Sequence, residues 1–76
     1  MSNPYDLTPR EIEVLESISR YNTSRYEIGQ DLGIKPGTVR NHLTSIYGKM
    51  DVDGHSRVTM TRALLKGLKS RTISFK

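Results

Sequence analysis

The sequence predicts an all-α fold: one domain over residues 1–76, a compact four-helix bundle with a helix-turn-helix formed by its second and third helices and no wing. Three observations predict it. Helix start signals recur four times along the chain. Apolar residues follow each signal at spacings of three and four, the period of one helix face. No segment apart from a short tail alternates with the period of a strand. The expected helices span roughly residues 9–20, 25–32, 36–50 and 57–69.

The first helix opens in "LTPREIEVLESIS". Thr8 is a good N-cap, Pro9 suits the first helical position, and Glu11 completes a capping box. Ile12, Leu15 and Ile18, with Val14 beside them, form its apolar stripe, and Leu7 can staple the entry onto Ile12. The second helix repeats the device in "TSRYEIGQDLG", with Ser24 as cap and Glu27 three residues on. Ile28 and Leu32 share one face, and Gly33 supplies a left-handed residue that ends the helix. At about two turns it must pack on neighbours to persist.

The third helix begins at Pro36, whose missing N–H would have no partner there anyway. Val39, Leu43, Ile46 and Met50 follow as one apolar stripe. The opposite face carries Gly37, Asn41, Thr44 and Gly48, with Arg40 on one flank and Ser45 and Lys49 on the other. The fourth helix starts near Ser56, after the turn "DVDGH". Met60, Ala63, Leu64 and Leu68 form its stripe, with Val58 and Leu65 to one side. Arg62, Lys66 and Lys69 complement the negative end of its dipole. The tail "SRTISFK" alternates but is too short to assign.

Charge is unevenly distributed. Residues 1–34 hold three basic and six acidic side chains, and residues 35–76 hold nine basic and two acidic. Such polarity offers the C-terminal half to a polyanion. The chain has no cysteine, and its two histidines make no metal set, so no metal and no disulfide are expected. No paired carboxylates stand with a nucleophile and no glycine loop suits a phosphate cofactor, so neither an enzyme nor a cofactor is expected. No apolar run approaches the roughly 18 residues of a membrane helix, and no secretory h-region precedes the first helix. The expected location is the cytoplasm, at the nucleoid.

Helices two and three are joined by only Gly33 to Lys35, which predicts a steep crossing. Gly29, inside helix two, costs about 1 kcal/mol there and implies a close approach. A recognition helix leads with its first turns into the major groove. Arg40 can fork onto guanine, Asn41 can pair with adenine, and Thr44 can bond a base or touch a thymine methyl. Phosphate contacts are expected from Lys35, Thr38, Ser45 and Lys49, and from Ser24, Arg25 and Tyr26 at the start of helix two. No acid occurs between residues 35 and 50.

"LTPREIEVL", "EIGQDLGI", "GTVRNHLTSIYGKM" and Val52 resemble the LuxR/FixJ-type DNA-binding domain over about residues 7 to 58, and the length is similar to small stand-alone GerE-like members. The resemblance implies a sequence-specific regulator of transcription that binds double-stranded DNA. It implies Arg40, Asn41 and Thr44 toward bases, and Thr38, Ser45 and Lys49 toward phosphates. His42 matches a family histidine, with a phosphate contact and a structural role both open. The resemblance also implies homodimerisation through the fourth helix on a two-fold symmetric site. Whether Met60, Ala63, Leu64 and Leu68 meet a partner copy or the domain's own core stays open at this point. The chain departs from the family pattern at Lys35 (a capping serine), Gly29 (alanine), Gly48 (a basic residue) and His55 (arginine). Thr59, Thr61 and Arg62 also predict a more polar surface on helix four. The alternative function is a helix-turn-helix kept as a docking surface for RNA polymerase or another regulator.

Overall fold

The computed structural model describes residues 3–74, and residues 1–2 and 75–76, including Phe75 of the alternating tail, lie outside the described residues. Four helices occur in the order α1 (Pro9–Ser19), α2 (Arg25–Leu32), α3 (Pro36–Met50) and α4 (Arg57–Lys69), with no strand among the described residues. The expected bounds hold for the last three. α1 stops one residue early because Arg20 leaves helical geometry and Tyr21 takes a left-handed conformation.

Local chemistry sets the helix starts. At α1 the capping box is complete: Glu11 N–H donates to Thr8 Oγ1 and Thr8 N–H donates to Glu11 Oε1. At α2 Ser24 Oγ accepts from Glu27 N–H, but the Glu27 carboxylate turns back one residue further, onto Thr23 N–H at 2.8 Å. The reciprocal arm expected at Ser24 has therefore moved to Thr23. At α4 Ser56 and Thr59 form a box, and Thr59 Oγ1 also donates to Asp53 O at 3.1 Å. Thr59 is buried by this role, so it does not add to the polar surface that the sequence suggested.

Helix ends are satisfied too. Gly33 closes α2 in the left-handed region, as expected. Asp51 does the same for α3 at φ 57°, a conformation that costs a non-glycine residue about 1 kcal/mol. Lys66 reaches over from α4 and donates to Met50 O at 2.7 Å, occupying a carbonyl that α3 leaves unpaired.

The core joins Val14, Leu15 and Ile18 of α1 to Ile28, Val39, Leu43, Ile46 and Met50, closed by Met60 and Ala63. The buried face of α1 is rotated from the expected stripe: Glu11 and Val14 are inside, and Ile12 is only half-buried. α1 and α3 each pack against the other three helices, while α2 and α4 do not touch each other. Tyr47 and Ile73 join the core as well, the latter by folding the chain back after α4. A Cβ on Gly29 would lie 2.6 Å from Ile34 O, so the absence of a side chain there lets α2 press onto the turn before α3. A polar cluster ties α1 to α2: Asp31 Oδ2 accepts from Ser17, Arg20 and Asn22 at 2.6 to 3.2 Å. Bonds from Ser17 and then Arg20 hold the Asp31 carboxyl below its ordinary range.

Candidate nucleic-acid interface

α3 divides into an inner and an outer face. Val39, Leu43, Ile46, Tyr47 and Met50 are buried, and Gly37, Thr38, Arg40, Asn41, Thr44 and Gly48 are exposed. The three expected base-reading residues therefore share the outward side. Asn41 has both amide donors and its carbonyl free of any hydrogen bond among the described residues, the set needed to pair with an adenine edge. Thr44 Oγ1 donates to Arg40 O at 3.0 Å. With its proton on the backbone, Thr44 presents an acceptor oxygen and a methyl group.

The glycines sharpen the picture. Gly29 has an internal reason, the contact with Ile34. A Cβ on Gly37 or Gly48 would meet nothing within 4 Å. Glycine within a helix costs up to about 1 kcal/mol against alanine, and here no neighbour in the fold requires it. The outer face of α3 is left slim, as an approaching nucleic-acid backbone would need.

The two flanks of α3 differ. On one flank Lys49 Nζ donates to Glu11 Oε1 at 2.7 Å and to Asp6 O at 3.1 Å. Glu11 is only 3 % exposed. Its burial would raise its pKa, but hydrogen bonds from Lys49, Ser45 and Thr8 outweigh that and bring it from 4.5 to about 2. Lys49, expected on a phosphate, thus serves a carboxylate of α1, while Ser45, expected on a phosphate too, stays exposed beside it. The physical reason is a buried charge: Glu11 caps its own helix and needs a cation, and Lys49 supplies it.

The other flank is open. Arg40 lines a groove with Arg25 and Tyr26 at the start of α2, Tyr47 on α3, and His55 and Arg57 before and within α4. Arg25 lies over the Tyr26 ring, 5.2 Å from its centroid, and Nη2 donates to Tyr26 Oη at 3.3 Å. That bond lowers the Tyr26 pKa. Tyr26 is 60 % exposed, so the pair stands beside α3 at the entrance of α2. Ser24 keeps its cap, its Oγ accepting from Glu27 N–H. Lys35 precedes α3 with no side-chain cap bond and is exposed, and Thr38 follows in the first turn. His55 and Arg57 were not among the expected contacts. Their signal was the "GHSR" run that leads into the fourth helix.

The residues expected at a dimer contact do not form a free surface. Met60 and Ala63 are buried in the core, and Leu64 and Leu68 are half-buried against it. The stripe was the inner face of α4. Its exposed apolar residues are Val58, at 61 %, and Leu65, at 50 %. No group of residues suited to a metal ion occurs among the described residues. None of the described helices is long and apolar enough to cross a membrane.

Comparison with known proteins matches residues 5–64 to the GerE model, described as bacterial regulatory proteins of the luxR family. The chain is 42% identical over 66 residues to the transcriptional regulatory protein DesR of Bacillus subtilis (strain 168), a match covering 87% of this chain and 31% of DesR. It is 47% identical over 47 residues to the transcriptional regulatory protein LnrK of the same organism, covering 62% and 21% respectively. For the transcriptional regulatory protein LiaR the identity is 39% over 54 residues, covering 71% and 25%. The chain thus spans less than a third of the length of these relatives. No solved structure gives a significant match.

Proposed function

The chain belongs to the luxR family of bacterial regulatory proteins, and from that premise we propose that it regulates transcription by binding double-stranded DNA with α3 in the major groove. The observation that carries the reading is the outer face of α3. It is polar, free of acids and slim at two glycines that the fold itself does not require. Arg40, Asn41 and Thr44 face the bases. Lys35, Thr38, Ser24, Arg25 and Tyr26 flank them toward the sugar-phosphate backbone. Exposed Ser45 flanks them in the same way, whereas Lys49 is left out, because Glu11 holds it. Such a protein works in the cytoplasm, on the nucleoid.

The reading includes a homodimer on a two-fold symmetric site. Its contact falls on the outward side of α4, around Val58 and Leu65, and not on the inner stripe. Selection of tight binders from random duplex DNA tests both parts. Recovery of a symmetric consensus, bound with strong salt dependence, is the expected result. Absence of any salt-dependent duplex binding overturns the proposal. A monomer bound as a single copy in equilibrium sedimentation overturns the dimer alone.

A further inference from the structure

The groove on the open flank of α3 concentrates positive charge without a counter-ion. Its volume is about 270 Å³, and it runs between the N-terminal ends of α2 and α4, two helices that do not touch. The floor is apolar, formed by Leu43, Tyr47 and Met60, and none of the lining residues is acidic. Arg25, Arg40 and Arg57 stand around it. None of the three makes an ion pair among the described residues, where the bridges are Arg10–Glu13, Arg20–Asp31 and Lys49–Glu11. Guanidinium groups gathered around one cavity repel each other, and an anion with several acceptor oxygens relieves them. His55 belongs to the same wall, its ring centroid 5.9 Å from that of buried Tyr47.

We propose that this groove seats a backbone phosphate of bound duplex DNA, and that His55 makes the hold depend on pH. The inference rests on the DNA-binding reading above. The charged and titratable groups that line the groove with His55 are Arg25 and Tyr26 from α2, Arg40 and Tyr47 from α3, and Arg57 from α4; Asp53, two residues earlier, is not part of the lining. Among the lining groups, imidazole is the one whose ordinary pKa lies between pH 5 and 8. A seated phosphate favours imidazolium over neutral imidazole. Binding therefore takes up a proton, and affinity rises as pH falls through the histidine range. Arg25 and Arg57 hold their charge throughout and set the baseline, with Arg40 at the α3 edge left to the bases, while His55 sets the slope.

The test is the affinity for a mixed-sequence duplex at fixed salt, across about pH 5.5 to 8, where the fold keeps its buried carboxylate ionised. Phosphate contacts are independent of sequence, so no operator is needed. Wild type should bind about five- to tenfold tighter at the acidic end. His55→Gln should be flat at the weaker level, and His55→Arg flat at the tighter level. His42→Gln should keep the wild-type dependence. His55 is exposed and His42 half-buried, and circular dichroism at both ends of the range verifies that each variant is folded. A flat wild-type profile, or an unchanged dependence in His55→Gln, overturns the proposal. Loss of binding in all four proteins at every pH instead overturns the DNA-binding reading itself.

Discussion

The two flanks of α3 carry the same kind of side chain and use it differently. Lys49 points back to α1 and neutralises Glu11, whereas Arg40 opens onto a groove with no carboxylate in it. One cation is structural and the other is available to a ligand. The difference comes from the partner helix and not from α3 itself. α1 brings a buried acid to one side, and the gap between α2 and α4 leaves the other side empty. A basic residue beside a recognition helix is thus a candidate contact only after its intramolecular partners have been counted.

The comparison breaks most readily at the closed flank. Lys49→Met leaves the Glu11 carboxylate without its cation and should cost about 2–3 kcal/mol, a large share of the roughly 4–11 kcal/mol expected for a domain of this size. Urea denaturation would measure it, and a loss below about 0.5 kcal/mol would mean that the pair is only a surface contact. At the open flank, Arg40→Ala should leave stability within about 0.5 kcal/mol of wild type and weaken specific duplex binding by about 1–3 kcal/mol.

Acid titration sharpens the same contrast. The Glu11 pKa is depressed, from 4.5 to about 2. Its contribution is therefore complete above about pH 4.5 and disappears as pH falls toward 2. Wild type should lose its advantage over Glu11→Gln across that window, in denaturation curves taken at several pH values. The lowered carboxyls of Asp31 and Glu27 act with the same sign in both proteins, so the difference between them isolates Glu11. The smallest expected effect is a gain. Gly48→Ala should stabilise the fold by about 0.5–1 kcal/mol, because the added methyl meets nothing. A loss in thermal melts would show that the outer face of α3 has an internal role after all.

Most of the fold was legible because its signals are local. Thr8, Ser24, Pro36 and Ser56 mark helix starts by chemistry confined to one turn. Gly29 was legible as a close approach, since it sits beside core Ile28 where the short turn to α3 must pass. What escaped were roles set by partners far along the chain. Glu11 reads as half of a capping box, and it is that, but Lys49 lies 38 residues away and nothing in the spacing joins them. The inner stripe of α4 could be core or interface until its burial was seen. Tyr47 had a faint signal, being four residues after Leu43 on the same side, and Ile73 had none because only a chain reversal after α4 brings it inside.

The most direct test of the account is the salt dependence of duplex binding, measured side by side for wild type, Lys49→Met and Arg40→Ala at concentrations where each is folded. If α3 spends Lys49 on its own fold and keeps Arg40 for DNA, Lys49→Met retains the wild-type salt slope and Arg40→Ala binds at least about fivefold more weakly. The account is contradicted if Lys49→Met flattens the slope by about one unit while Arg40→Ala binds like wild type.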